Sequence, residues 1–355
     1  MKTIHYIFLF VSLSFFAQAQ TIRRVNATPG VTGVNIYTTA QAAHDASVAG
    51  DIIYLEPVNT DNTDYGSLTI NRRITLIGTG YDPTLVTGSS FDKRTVSIQN
   101  INMNQGSAGS RITGLNITST ITISDANCII ERCKIHTIYL GKQTIEGVTT
   151  VANNTIIRNN FATYISGLGN DSGAGATTNN SIITNNIINN TIGGLVSATI
   201  TRNTFYANQS TQYIFNDVDG SSITANIFDA RDPGSFFATL GTTCQGTTLS
   251  NNLCTRHAGL PANNGNVNSV SSSTVFKVTN PWSVNPFLES NLELSPTSPA
   301  LTVGPSSTPI GAFSGTTPFV PSGLTNIPFI TDFSINGIGN VNSPLQINVK
   351  ARSNN

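Results

Sequence analysis

Charge is scarce in this 355-residue chain. Only 10% of the residues are charged, 18 basic and 18 acidic, and the formal net charge is zero. A nucleic-acid partner needs a concentrated basic face, so this composition argues against one. The lack of charge does not signal disorder, because 38% of the residues are hydrophobic and net charge is low. Long apolar runs are also missing. The run Ile7 to Phe16 is too short to span a bilayer, and nothing later is longer. No transmembrane segment is expected in the mature chain. Cysteine is sparse: Cys128, Cys133, Cys244 and Cys254. None has zinc-site spacing with histidine. Two local disulfides and four buried thiols both fit the sequence.

The amino terminus reads as an export signal. Lys2 supplies the positive start, Ile7 to Phe16 the apolar stretch, and Ala17-Gln18-Ala19 the small-residue cleavage site. Residues 1–19 are therefore assigned to a signal peptide. The mature protein is expected in the periplasm, at the cell surface or outside the cell.

What the chain has in quantity is a repeat. Six segments align in register. Ile130-Glu131-Arg132-Cys133-Lys134-Ile135 stands over Ile157-Arg158-Asn159-Asn160-Phe161-Ala162 and Ile183-Thr184-Asn185-Asn186-Ile187-Ile188. Ile200-Thr201-Arg202-Asn203-Thr204-Phe205, Ile223-Thr224-Ala225-Asn226-Ile227-Phe228 and Leu249-Ser250-Asn251-Asn252-Leu253-Cys254 follow. The first column is aliphatic, the second polar, the fourth asparagine except at Cys133, and the sixth apolar. Successive rows are 17 to 27 residues apart, close to one solenoid turn. Strand side chains alternate between faces, so the first and sixth columns point inward and the second outward. The chain bends at the third and fourth positions. Asparagine tolerates the left-handed conformation a bend needs, and its amide can bond to the same residue one coil away.

This ladder, over about residues 50 to 313, resembles the right-handed parallel β-helix proteins of the pectate-lyase-like superfamily, of the exported bacterial type. The resemblance implies an all-β solenoid with a short N-terminal capping helix and a C-terminal extended tail. Residues 20–50 form the cap: Thr38 and Gln41 make a capping box, Ala42, Ala43 and Ala46 an apolar helical face, and Gly50 the stop. Residues 51–313 form the β-helix. Leu294 to Ala300, Gly304 and Ile310 to Phe313 resemble the closing coil of such proteins. Residues 314–355 form a linker and tail, in which Leu345, Ile347 and Val349 alternate as one strand. That strand is expected to pair with the body and shield an edge.

The fold resemblance does not bring an activity with it. Hydrolases of the polygalacturonase kind carry paired acids and a Gly-His-Gly, and this chain has neither Asp-Asp nor Gly-His-Gly. His44, His136 and His257 stand isolated and read as packing or surface residues. Pectate lyases need calcium on several acids beside a basic residue. The nearest approach is Asp217-Val218-Asp219, whose alternation would set both carboxylates on one face. No residue set is assigned as catalytic, and no cofactor is expected apart from calcium at this pair. Tyr139, Tyr164 and Tyr213, within the coils and among asparagines, are the candidates for a glycan or partner surface. The expected function is a non-catalytic binding or scaffold protein of the cell envelope. Its partner would be an envelope glycan or a surface, secretion or motility protein assembly. The alternative is a polysaccharide lyase or glycoside hydrolase acting on an acidic glycan.

Overall fold

A computed structural model describes residues 20–58, 62–86, 92–167, 178–206, 214–229, 244–255, 259–285, 287–337, 339 and 344–353. Residues 1–19, where a signal peptide is expected, lie outside them, as do His257 and Tyr213. Every aligned row contributes one short strand to each of two long sheets. In the first sheet eleven strands follow one another in parallel, from Ile36–Tyr37 and Ile22–Val25 through Ile129–Glu131, Ile156–Arg158, Ile182–Thr184 and Thr199–Thr201 to Thr248–Ser250. The second sheet has fourteen strands, and its longest are Thr95–Met103, Asn116–Ile123 and Lys134–Leu140. In the first sheet the register stays in phase: Ile130 pairs with Ile112 on one side and Ile157 on the other, and Ile200 lies between Ile183 and Ile223. The protein is a parallel β-helix.

The column chemistry explains the stacking. Ile130, Ile157, Ile183, Ile200 and Ile223 are fully buried, as are Phe205, Phe228 and Cys254 of the sixth column. Phe205 stacks on Phe228 with centroids 4.9 Å apart, so one aromatic continues the next along the axis. The four cysteines are buried thiols. Burial pushes the Cys128 and Cys133 thiols up to about 12, which leaves them unreactive at neutral pH.

The two asparagine-bearing columns divide the bend between them. The left-handed residue is the third: Arg132, Asn159, Asn185, Arg202, Ala225 and Asn251 all have φ between 53° and 59°. The fourth-column asparagines are not the left-handed ones. They are completely buried and form an amide ladder. Asn203 is typical. Its Oδ1 accepts from the Asn186 backbone N–H (2.9 Å) and from Asn186 Nδ2 (3.0 Å). Its Nδ2 donates to the Ile183 carbonyl (2.9 Å) and to Asn226 Oδ1 (3.0 Å). The pattern runs from Asn160 to Asn252 and extends to Asn266, outside the aligned rows. A buried amide is tolerated because donors and acceptors are all matched along the stack.

The N-terminal helix is Ala40–Asp45, and its cap is Thr39, not Thr38: Thr39 Oγ1 accepts from Ala42 N at 3.1 Å. Gln41 does not cap. Its side chain bridges the backbone of Thr69, tying the helix to the first coils. His44 is a packing residue, fully buried, with Nε2 facing the Asn71 N–H at 3.3 Å.

The far end departs from expectation. The last strands in the ladder are Thr248–Ser250 and Val267–Val270. Residues up to 313 do not close a coil. The chain from 299 to 325 instead returns along the outside of the solenoid as a strap. Its carbonyls accept from the third column in reverse order: Val303 from Asn251, Ala312 and Ser314 from Asn185, Thr317 and Pro318 from Asn159, Leu324 from Arg132. Ser322 then reaches the backbone of Asp82, near the N-terminal coils. The strap covers the fifth column, where Ile187, Ile227 and Leu253 point outward. With Phe276, Leu292, Ile310 and Phe319 these make a second apolar core. Beyond it the expected strand exists as Gln346–Arg352, but it pairs antiparallel with Phe329–Asn336 and not with the body.

Candidate functional site

The outward side of the second sheet's longest strands forms a polar face from two adjacent columns. Pairing registers Ser67, Asn100, Thr120, Thr137 and Tyr164 in one column. Thr69, Asn102, Thr122, Tyr139 and Ser166 make the other. The ten positions hold neither a carboxylate nor a cation. All but the buried Thr137 are exposed or half-buried, and one extra residue in Asn116–Ile123, between Ile117 and Thr120, shifts that strand's register against both of its neighbours. Ile101, Ile121 and Ile138 stay inside on the same strands.

Two of the three predicted tyrosines meet on this face. Tyr139 lies between Thr122 and Ser166, and Tyr164 beside Thr137. Both are half-buried. Asn190 Nδ2 donates to the Tyr164 hydroxyl at 2.9 Å, and Asn190 Oδ1 accepts from Thr191 at 2.8 Å. The His136 ring lies 5.7 Å from the Tyr164 ring at 56°, with His136 Nδ1 2.9 Å from Thr137 Oγ1. His136 is thus not isolated: its ring shares a platform with that of Tyr164 on the neighbouring strand. Thr120 donates to Asn100 at 2.9 Å. After Leu140 the strand leads into an antiparallel hairpin, Lys142–Ile145 and Val148–Val151.

The proposed acid pair is built differently from its prediction. Asp217 has φ 52° and lies at a bend opposite Gly194, so the strand alternation that would align it with Asp219 is broken there. The Asp219 carboxylate accepts from the Gln245 N–H at 2.7 Å, which fixes it as a turn acceptor. Among the described residues no cluster of three or more His, Cys, Asp or Glu comes together. The two carboxylates alone are too few oxygen ligands for calcium.

Other acids are engaged elsewhere. Glu131 pairs with Arg158 across adjacent strands as the sequence suggests, but it is not solvent-exposed. It is only 3% exposed, and its oxygens accept from Arg111 Nε (2.8 Å) and Arg158 Nε (2.7 Å) on neighbouring coils. Burial pushes its carboxyl up, but the two guanidinium groups outweigh this and hold it below the usual glutamate range. Asp51 is held by Arg23 and by two backbone N–H groups, and Asp125 accepts from the N–H groups of Gly106 and Ala108. Glu289 is the exception. It is buried under the strap within electrostatic reach of Tyr81 and Tyr206, and burial raises its pKa.

No family model matches the chain, and no curated protein matches it. Among solved structures it is similar to the crystal structure of pectate lyase Pel9A, with a TM-score of 0.44 and 13% identity over 84% of this chain and 97% of that one. The β-helix assignment stands on the strand pairing itself, and the likeness transfers no activity. Among the described residues no helix is long and apolar enough to cross a membrane.

Proposed function

We propose that the protein is an exported, non-catalytic β-helix that binds an envelope glycan across the outer face of its second sheet. The observation that carries this reading is the neutral two-column array of hydroxyls and amides around His136, Tyr139 and Tyr164. Aromatic rings offer flat apolar surface to a sugar ring, and fixed hydroxyls and amides read its oxygens. Hydrogen bonds within the array hold these groups before a ligand arrives, which lowers the ordering cost of binding. A face without cations suits a neutral glycan better than a polyanion. The lyase or hydrolase alternative needs an acid and a base at one cleft, and Glu131, Asp51, Asp125 and Asp219 are tied to arginines or backbone N–H groups.

The test is a pull-down from the native envelope, analysed for glycans and proteins and run beside a product-release assay on pectin and alginate. Retention of a neutral glycan that falls at least tenfold in Tyr139→Ala/Tyr164→Ala, with no release of unsaturated or reducing sugars, is expected. Turnover that disappears in Asp217→Ala or Asp219→Ala would instead establish the enzyme.

A further inference from the structure

The hairpin of Phe329–Asn336 and Gln346–Arg352 has two unlike faces. Phe333 lies opposite Val349 and Ile335 opposite Ile347, so these four share one side, and alternation adds Leu345. The ladder shifts between Ile330 and Asp332, and this bulge brings Ile330 to the same side as Phe333. On the other side Asp332 pairs with Lys350 at 3.2 Å and Ser334 lies opposite Asn348. The six apolar residues are each 45–53% exposed. A lone two-stranded hairpin is at best marginally stable in water, so a face like this needs a cover.

We propose that the cover is the same face of a second copy, the two hairpins stacking into a four-stranded sandwich about a two-fold axis. The area supports a partner of this size. Six half-exposed large side chains present roughly 100 Å² each, or about 600 Å² per copy. Two such faces bury about 1,200 Å², the lower bound for a specific interface. An added edge strand would leave the apolar side in water. The charge distribution points the same way. The apolar face carries no charge, so two identical faces meet without repulsion. The cations that could draw the hairpin to an anionic lipid are engaged: Lys350 by Asp332, and Arg352 over the Phe329 ring at 5.4 Å. Flat sheet faces of this kind pack about 10 Å apart. The inference is independent of the glycan-binding face.

Light scattering coupled to size exclusion on the full mature chain, across a concentration series, tests it. The mass should rise to twice the chain mass in the wild type and stay at one chain mass in Phe333→Ser/Ile347→Ser, with the main thermal transition unchanged. An Ile347→Cys variant should form an intermolecular disulfide on mild oxidation where the wild type does not. A wild type that remains at one chain mass and gives no cross-link overturns the proposal. So does a dimer that persists in the double serine variant, or a monomer whose hairpin binds neutral or anionic vesicles instead.

Discussion

The interior of the coils and the second core beneath the strap are made from adjacent columns of the same strands, yet they depend on different parts of the chain. Ile183 and Ile188 point inward and are buried by neighbouring coils, whatever happens at the C terminus. Ile187, one residue from Ile188, points outward and is buried in the second core, which the chain after the last coil, with the strap from 299 to 325, builds over it. A solenoid thus has a local core that each new coil extends, and a non-local one that a distant segment must close. An outward column rich in Phe161, Ile187, Ile227 and Leu253 is the sign in the sequence that such a cover exists.

The largest expected effects break this comparison at its two cores. Ile183→Ala should cost about 2–5 kcal/mol in denaturant unfolding, the range for an aliphatic cavity in a packed core. Ile187→Ala should cost a similar amount despite its outward position. A loss there below about 0.5 kcal/mol, the size of an ordinary surface change, would mean the strap is not seated. Thr184→Ala, outward and uncovered, is the control and should fall within that small range.

Asn203→Ala should come next. It leaves the Asn186 backbone N–H and the Ile183 carbonyl without their amide partner, at about 1–3 kcal/mol per orphaned group. Asn203→Asp should also fail to rescue, because a carboxylate cannot donate to Ile183 O or Asn226 Oδ1. If both variants melt like the wild type, the ladder is not a source of stability.

The smallest effect sharpens the second core alone. Burial raises the Glu289 pKa above its unfolded value. The protonated form is therefore favoured in the folded state, and stability that is full below the usual glutamate range is lost as pH rises through the raised pKa. Glu289→Gln should match the wild type in acid and exceed it in melting temperature at neutral and alkaline pH. Glu131 has the opposite sign: its lowered pKa gives stability above the usual glutamate range that is lost as pH falls through the folded value. A Glu289→Gln melting curve parallel to the wild type at every pH would show that this carboxyl is solvated.

The coils were legible because their information is local and periodic. Columns one, two and six follow from alternation and stacking, and the capping helix from its own residues, to within one position at Thr39. What was not legible depends on partners far away in sequence. Two asparagines in succession, as at Asn185-Asn186, look alike in composition. Only the strap's carbonyls, more than a hundred residues distant, show that the first turns outward to meet them while the second joins the buried ladder. The strict alternation expected to align Asp217 with Asp219 does not hold, because Asp217 is left-handed. The tyrosine face is half legible: Tyr139 and Tyr164 are candidates from the sequence, but His136 and Asn190 join Tyr164 from the coils on either side of it. Tyr213 lies outside the described residues.

The central claim is that one specific face reads a glycan. Its most direct test is isothermal titration of the retained glycan into three proteins: the wild type, Tyr139→Ala/Tyr164→Ala, and Thr201→Ala/Thr224→Ala on the outer side of the other sheet. The account predicts an affinity loss of at least tenfold, about 1.4 kcal/mol, in the tyrosine variant and none in the threonine variant. Equal binding by all three proteins, or a loss only in the threonine variant, would contradict it.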